Sequence, residues 1–491
     1  MLITKKKKIY NLFFFSLVIF CVYYLSKNYN ILGFFADDGT TLYYLLKDLS
    51  LTELLFYSFN WDAARDLHLI WQKFFILISG KNVISNLHFY QIIFYLINSI
   101  LFCIILKKLN FKNEIIIIIW ISSIFFPIYS EVVFWIHAFT MILLSTSFFL
   151  IFVIIQMKTI KKLSLQKNLY QNFLAIIFLL LSLFTYEQCI FVAIIIVFLI
   201  SFIKFKRKFI SFKETVVTAL IYSFIIISFA VYKLSEAGFF NPDVIKYQTG
   251  SNIVLSFQIF TNFIIGFGQY IIQFFNFYTV SFFDKNFIEL IIFNILLLAT
   301  IYPIIFNYKK NLKNFKINSF LKKIFVTLVL FIASLTPLYF HYLSDRHYYL
   351  PSFFMFIGIA FALEYLLFSK KTYLFRNFFI FLIFFYSTQF LIKFELKKNQ
   401  VIENFSIKKD FYKNLLDSKK IDFSKKKIYL INFPDLNNGE VFFAHEPEIN
   451  FKLIQDNENL PFVLRQYDEK DMNNLVYFNE IKNKRIIYEI R

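Results

Sequence analysis

Long runs of uncharged, mostly apolar residues alternate with short clusters of charge along most of the chain. Two such runs extend from Asn172 to Tyr186 and from Cys189 to Ile203. A helix needs roughly 20 apolar residues to cross the ~30 Å hydrocarbon core of a bilayer, and many runs approach or reach that length. The pattern therefore predicts an all-α polytopic membrane protein with about eleven transmembrane helices.

The composition and the placement of charge narrow the class further. The 491 residues are 58% hydrophobic and 17% charged, whereas about a quarter of a soluble domain is charged. A net charge of +20 could indicate nucleic-acid binding, but the basic residues form short blocks between apolar runs. Cytoplasmic loops of membrane proteins have this pattern, so no nucleic-acid partner is expected. The three cysteines have no metal-binding or disulfide spacing.

The basic clusters also predict the orientation of the chain. Lys5 to Lys8 place the N-terminus in the cytoplasm, and the apolar stretch from Ile9 to Leu25 is predicted to be an uncleaved first span. A long first outer loop, residues 27–87, then follows. Within it, Leu42 to Leu55 and Leu67 to Ile78 are predicted to be amphipathic helices lying along the membrane surface.

The remaining spans are predicted from the same hydropathy criterion. Every short loop placed inside is basic, whereas the outer turns Tyr129–His137 and Thr185–Gln188 contain no lysine or arginine. Residues 253–283 are either a re-entrant hairpin or two extra spans, and both choices preserve the orientation of the later spans. The predicted spans after the first are His88–Leu106, Ile115–Ile128, Phe139–Met157, Asn172–Phe184, Ile190–Ile203, Thr215–Tyr232, Phe287–Phe306, Ile324–Phe340, Ser352–Phe368 and Phe378–Ile392.

The composition changes after residue 392. Charges become more frequent, and strand-like runs such as Lys427–Asn432 and Val441–Ala444 lie between turn signals. We therefore divide the chain into a transmembrane domain, residues 1–392, and a small extracytoplasmic α+β domain, residues 393–491. The expected location is the bacterial inner membrane, with the N-terminus in the cytoplasm and the C-terminus in the periplasm.

The first candidate for chemistry is the pair Asp37 and Asp38, just after the first span. A carboxylate near the water–membrane boundary can act as a general base, or it can hold a divalent metal against a phosphate. The alternative is that one aspartate caps a helix starting near Thr41. Both readings remain open at this point, and Asp38 is the candidate if a divalent metal takes part.

Two more carboxylates lie on predicted outer turns. Glu131 follows Pro127 at the end of an apolar span, and Glu187 lies on the short turn between the fifth and sixth spans. A carboxylate costs several kcal/mol in an apolar environment unless it is paired. Glu131 is thus a candidate catalytic residue and Glu187 a candidate substrate contact. The alternatives are a helix cap or backbone partner for Glu131 and a solvated turn residue for Glu187.

Cations on the same predicted side could bind a lipid phosphate. Arg346 is the main candidate because a guanidinium can bond two phosphate oxygens at once, and His347 and Tyr349 beside it are further candidates for substrate binding. Asp345 could instead neutralise Arg346 in an ordinary surface ion pair. Arg65 in the first outer loop is a second candidate phosphate contact.

The order of these segments resembles the GT-C glycosyltransferase superfamily, in the branch of protein O-mannosyltransferases, aminoarabinose transferases and TPR-containing O-mannosyltransferases. Members carry an acidic pair after the first span, like Asp37 and Asp38. They then have a Pro-x-x-x-Glu segment like Pro127–Glu131, a turn like Tyr186–Glu187, and an Arg-Tyr-x-Tyr-x-Pro segment that Arg346–Pro351 matches loosely. The resemblance covers roughly residues 10 to 370.

The resemblance implies an integral membrane glycosyltransferase with a polyprenyl-phosphate sugar donor and an acceptor outside the cytoplasm. Asp37 or Asp38 would be the catalytic or metal-binding acid, and Arg346 would face the lipid phosphate. The sequence departs from the family at Tyr186, where a basic residue is usual. It also lacks TPR periodicity after residue 392. The sugar, the acceptor and metal dependence are not specified.

Two other classes compete with this interpretation. A lipid-linked glycan transporter or flippase would place ionisable groups near the bilayer midplane, where this chain has few. A polysaccharide polymerase or ligase would carry a long late outer loop rich in arginine and histidine. The late loop here, His341–Leu350, is short.

Overall fold

The computed structural model describes most of the predicted transmembrane region and parts of the C-terminal region. All statements about structure concern these residues. The described ranges are 2–32, 66–80, 82–127, 129–159, 165–209, 211–236, 268, 287–306, 317–335, 345–368, 376–416, 427–431, 436–437, 440–441, 463–467, 477–481 and 485–489.

The described part of the first 416 residues is almost entirely helical. The α-helices are α1 (Leu2–Ser26), α2 (Asp66–Ser79), α3 (Val83–Lys108), α4 (Asn113–Ile124), α5 (Tyr129–Phe134), α6 (Ile136–Ala138), α7 (Leu144–Lys158), α8 (Leu165–Thr185), α9 (Ile190–Lys206), α10 (Phe212–Glu236), α11 (Phe287–Phe306), α12 (Ile317–Leu335), α13 (Tyr349–Phe368) and α14 (Arg376–Leu416). A π-helical segment, Phe139–Leu143, precedes α7, and 3-10 turns lie at Tyr29–Ile31, Glu187–Cys189 and Asp345–Tyr348.

Within the described ranges, seven helices are long and apolar enough to cross a membrane: those in 83–108, 139–158, 187–206, 212–232, 317–335, 349–368 and 377–406. Five shorter apolar helices accompany them, at Leu12–Ser26, Leu67–Ser79, Asn113–Ile124, Tyr170–Thr185 and Ile288–Ile301. A polytopic, all-α membrane architecture fits these helices. The total of about eleven spans stays a prediction, and residues 253–283 lie outside the description except Gly268.

The outer surface of α10 shows why these helices suit lipid. Phe212, Leu220 and Phe224 lie along it and are strongly exposed, and 73% of Phe224 is accessible. Tyr222 and Ile226 on the opposite side are buried against the bundle. A helix that is apolar on both its exposed and its buried sides is typical of a membrane interior.

The basic ends of several helices meet at one end of the bundle. The Nζ atom of Lys112, before α4, lies 3.9 Å from the ring centroid of Phe368 at the end of α13. The Nζ atom of Lys323 in α12 lies 4.7 Å from that of Phe361. The opposite end brings together the end of α1 and the start of α3, where the rings of Tyr29 and Phe89 are 5.8 Å apart. The positions of the basic clusters in the sequence predict that these two ends of the bundle lie on opposite sides of the membrane.

Helix α2 differs from the predicted surface helix over the same residues. Its polar residues His68 and Gln72 are fully buried, whereas Phe74, Leu77 and Ile78 are exposed. A helix on the membrane surface would turn its polar side to water. Its polarity is therefore the reverse of the expected one.

Helix α14 continues through the predicted domain boundary. It extends from Arg376 to Leu416 without interruption, so residues 392 and 393 lie inside it. A stretch that is long and apolar enough to cross a membrane lies within Asn377–Ser406. An unbroken helical hydrogen-bond ladder thus joins the two sides of residue 393, and the division of the chain into two domains stays a prediction.

The C-terminal region contains six short strands: β1 (Lys427–Ile431), β2 (Leu436–Asn437), β3 (Glu440–Val441), β4 (Val463–Tyr467), β5 (Tyr477–Ile481) and β6 (Arg485–Glu489). Four of them form a sheet in the order β4-β1-β6-β5. Strand β1 pairs parallel with β4 and antiparallel with β6, which pairs antiparallel with β5. Strand β1 coincides with the predicted run 427–432. A separate α+β domain outside the membrane stays a prediction.

Candidate functional site

Three of the four predicted motif segments come together although they are far apart in the chain. Helix α5, which contains Glu131, contacts the 345–348 turn that contains Arg346. The rings of Tyr129 and Tyr349 are 4.7 Å apart. The Gln188 side chain, next to Glu187, donates a hydrogen bond from Nε2 to the backbone oxygen of His347. We define these three segments, 129–135, 186–189 and 345–349, as the candidate site.

The sequence around Pro127 explains why the chain turns at the first segment. Helix α4 ends at Ile124, and Pro127 has no backbone N–H to continue it. A short turn follows, in which the amide of Tyr129 bonds the Phe126 oxygen and the amide of Ser130 bonds the Pro127 oxygen. Helix α5 then begins, so Glu131 lies in its first turn.

A buried glutamine of α3 holds the end of α5. The Gln91 Nε2 atom donates to the backbone oxygens of Val132, at 2.6 Å, and Trp135, at 2.7 Å. These oxygens lie at the break between α5 and α6, where the regular helical hydrogen bonding is interrupted. The Trp135 oxygen also accepts a hydrogen bond from the Ala138 amide at 3.1 Å. The Gln91 Oε1 atom is 3.0 Å from Nδ1 of His88, and this ring nitrogen donates in the tautomer that completes the network. Sequence analysis did not single out His88 or Gln91.

The third segment is anchored by aromatic packing. His347 and Tyr349 are buried, and the Tyr349 ring contacts the rings of Tyr95 and Tyr129. The Tyr95 hydroxyl donates to the Ile124 oxygen at 2.7 Å, just before the Pro127 turn. In this arrangement Tyr349 positions the turn that carries Arg346.

A pair of serines holds the middle segment. The Ser145 hydroxyl lies 3.0 Å from the Ser182 backbone oxygen and 3.3 Å from that of Tyr186. The Ser182 hydroxyl bonds the Ser145 backbone oxygen at 3.0 Å and lies 3.3 Å from Sγ of Cys189. These contacts join α7 and α8 directly below the turn, so the placement of Glu187 depends on helix packing.

The predicted site residues differ in what the structure describes of them. Asp37, Asp38 and Arg65 lie outside the described residues. For Glu131 and Arg346 the structure describes the helical backbone, and their side chains lie outside the description. Glu187 is partly buried at the start of its turn. The structure thus brings together the segments that carry Glu131, Glu187 and Arg346.

A charged cluster that the motif search missed lies where α1, α11 and α14 meet. Lys27 and Glu289 form an ion pair with Nζ and Oε1 2.6 Å apart. The Nζ atom of Lys398 donates to the Tyr24 backbone oxygen at 3.1 Å, and Glu395 beside it is also buried. The sequence does show lysine and glutamate residues at the ends of apolar runs. It does not show which of these residues contact each other, because they are far apart in the chain.

The ion pair shifts the titration of its lysine. Burial lowers the pKa of Lys27, but the hydrogen bond and charge of Glu289, together with Glu395 and Tyr23, raise it by more, and the net pKa is above the ordinary value. The stabilising effect of a raised lysine pKa is complete below the unfolded pKa and is lost as pH rises through the folded one. The pair therefore remains intact at neutral pH.

The described residues contain no group of three histidine, cysteine, aspartate or glutamate side chains that could hold a metal ion. Because Asp37 and Asp38 are outside those residues, metal binding at Asp38 stays a prediction.

Comparisons with known proteins give no family assignment. No protein-family model matches the chain, and no curated protein matches it significantly. The resemblance to GT-C enzymes therefore depends on the motif residues and their order.

Proposed function

We propose that the protein is a GT-C-type membrane glycosyltransferase that takes a sugar from a polyprenyl-phosphate donor and transfers it on the non-cytoplasmic face. One observation carries the proposal. The segments that contain Glu131, Glu187 and Arg346 meet at one end of the helix bundle, although they come from three parts of the chain. This convergence is what a shared site requires.

The proposed chemistry needs a general base on one side of the anomeric carbon and a cation for the leaving phosphate on the other. A carboxylate of Asp37, Asp38 or Glu131 removes the proton from the acceptor hydroxyl, and the oxygen attacks the carbon as the bond to phosphate breaks. Arg346 stabilises the negative charge on the departing polyprenyl phosphate, with Arg65 as a second contact. The displacement inverts the anomeric configuration. A divalent metal held by Asp38 would assist the phosphate.

The placement of buried charge supports an enzyme over a transporter. A transport pathway would place ionisable groups near the middle of the spans. In the described helices, the buried Lys204 lies in the last turn of α9, and Glu395 and Lys398 lie at the bundle end that contains Lys27. Glu395 and Lys398 are in the middle of the long helix α14, but these groups and Lys204 all lie toward the ends of the bundle.

Deletion of the gene provides the test of function. We expect the cell-surface glycans to lose the mass of one sugar residue while the sugar-loaded polyprenyl phosphate accumulates, both measured by mass spectrometry. Accumulation of longer lipid-linked oligosaccharides would instead indicate a polymerase or ligase. An unchanged glycan and lipid profile would contradict the proposal.

The proposed orientation has its own test, using two matched turn residues. Asn28 and Asn110 are exposed, both have left-handed φ angles, of 66° and 63°, and they lie at opposite ends of the bundle. In a variant whose native cysteines are replaced by alanine, we expect Asn28→Cys to react with a membrane-impermeant maleimide in intact spheroplasts. Asn110→Cys should react only after lysis. The reverse pattern would place the candidate site in the cytoplasm and refute the proposed location.

A further inference from the structure

Helix α2 has a polar face that points into the protein and an apolar face that points outward. Gln72, His68 and Ser79 are buried at helical spacing, and Leu77 and Ile78 are at least half exposed. In lipid, an exposed apolar face has no cost, but polar groups must face the protein interior. Polar residues placed in this way in membrane proteins commonly mark substrate sites.

Among the described residues, the side chains of Gln72 and Thr140 are fully buried in this region and lack hydrogen-bond partners. Gln72 is fully buried, and neither its Nε2 nor its Oε1 atom has a partner within the described residues. The Thr140 hydroxyl is also fully buried and lacks a partner there. Buried polar atoms are nearly always hydrogen-bonded in native proteins, and leaving them unpaired is costly. These atoms are therefore suited to bind something else.

Gln72 and Thr140 belong to elements that pack against each other. The rings of Phe75 and Phe139 are 4.8 Å apart, and they join α2 to the π-helical segment. Gln72 lies one turn before Phe75, and Thr140 directly follows Phe139. Short π-helical stretches frequently occur at functional sites because they alter the regular side-chain arrangement.

The surroundings select the chemical class of the ligand. Trp71, whose Nε1 atom is buried without a partner in the described part, packs its ring 5.9 Å from that of Phe148. Amide and hydroxyl groups both donate and accept hydrogen bonds, an indole N–H donates them, and none of these groups carries charge. Together with aromatic rings they suit a neutral group with several hydroxyls. A phosphate would instead require cations.

We propose that the buried face of α2, through Gln72, and the π-helical segment, through Thr140, bind the sugar hydroxyls of the lipid-linked donor. This inference rests on the proposed function and specifies where the donor's sugar is recognised. The candidate site and the proposed sugar contacts then lie next to each other. Trp135 and Thr140 are close in the chain, and helix α3 packs against both α5 and the π-helical segment.

The test compares four ligands and three proteins. Polyprenyl phosphate, bare or carrying glucose, mannose or N-acetylglucosamine, is titrated into wild type, Gln72→Met and Ser79→Ala in a detergent without a sugar headgroup. Ser79 is the matched control because it lies on the same buried face and its hydroxyl already bonds the Phe75 oxygen at 2.6 Å. Affinity is measured from the ligand-induced shift in thermal unfolding.

We expect at least one glycosylated lipid to bind wild type and Ser79→Ala more tightly than the bare lipid. Gln72→Met should lose about tenfold in affinity for that lipid, since one to two hydrogen bonds are removed, and should keep its affinity for the bare lipid. If Gln72→Met lost affinity equally for the glycosylated and the bare lipid, or kept its affinity for both, the inference about Gln72 would be overturned and the proposed function would stand. Failure of every lipid to bind wild type would overturn the proposed function with it.

Discussion

Asp38→Asn or Asp37→Asn is expected to reduce glycan transfer by about 10²–10⁴-fold, the usual contribution of a positioned general base. The amide keeps the size of the carboxylate but cannot accept the acceptor's proton or carry charge toward a metal. If one aspartate caps the following helix, its variant should retain most activity, because asparagine is an equally good cap. The measurement is the glycan product in the deletion strain that expresses each variant.

Glu214→Gln is the matched control for these two variants. Glu214 is exposed at the start of α10, and its Oε2 atom accepts a hydrogen bond from the Ser211 amide at 2.7 Å. Glutamine can accept the same bond, and the basic loop before α10 is predicted to be cytoplasmic. Transfer should therefore stay at the wild-type level. Full activity in both aspartate variants, at normal expression, would remove the proposed mechanism with an aspartate as its base.

Gln91→Met is expected to lower the free energy of unfolding by about 2–4 kcal/mol, because two buried backbone oxygens lose the hydrogen bonds that Gln91 donates, although the Trp135 oxygen keeps its bond from the Ala138 amide. These oxygens belong to Val132 and Trp135, at the end of the helix that contains Glu131. Transfer activity should fall as well, since α5 loses the contact that fixes it to α3. Thermal unfolding in detergent, followed by tryptophan fluorescence, measures the first effect.

Gln72→Met is the control for this prediction, because it shows whether replacing any buried glutamine by methionine has the same effect. Both glutamines are fully buried, but the Gln72 amide has no partner within the described residues. Gln72→Met should therefore leave the unliganded stability unchanged or raise it, because it removes an unpaired polar group. Equal destabilisation by the two substitutions would show that the Gln91 hydrogen bonds are not the cause.

Most helix positions could be predicted because hydropathy is a local property. The predicted span Phe139–Met157 corresponds to the π-helical segment together with α7, and Thr215–Tyr232 lies within α10. The turn Thr185–Gln188 was also placed between the correct two helices. The continuation of α14 past residue 392 was missed, since its second half is polar and resembles a loop in hydropathy alone.

For the candidate site, the sequence predicted only that its segments lie on the same side of the membrane. The spans and the basic clusters placed Glu131, Glu187 and Arg346 at outer turns, but contact between their segments depends on how the helices pack. The bonds from Gln91 to Val132 and from Gln188 to His347 join residues whose spacing in the chain carries no recognisable signal.

The order of apolar and basic segments was enough to indicate a polytopic helical protein with its basic loops on one side, because lipid solvation and the charge rule act on each segment separately. The inward polar face of α2, the Lys27–Glu289 pair and the meeting of three distant turns emerged only in the folded bundle. In a membrane, lipid and protein interior are both apolar. Hydrophobicity therefore cannot show which helix face is inside, and packing and hydrogen bonding decide it.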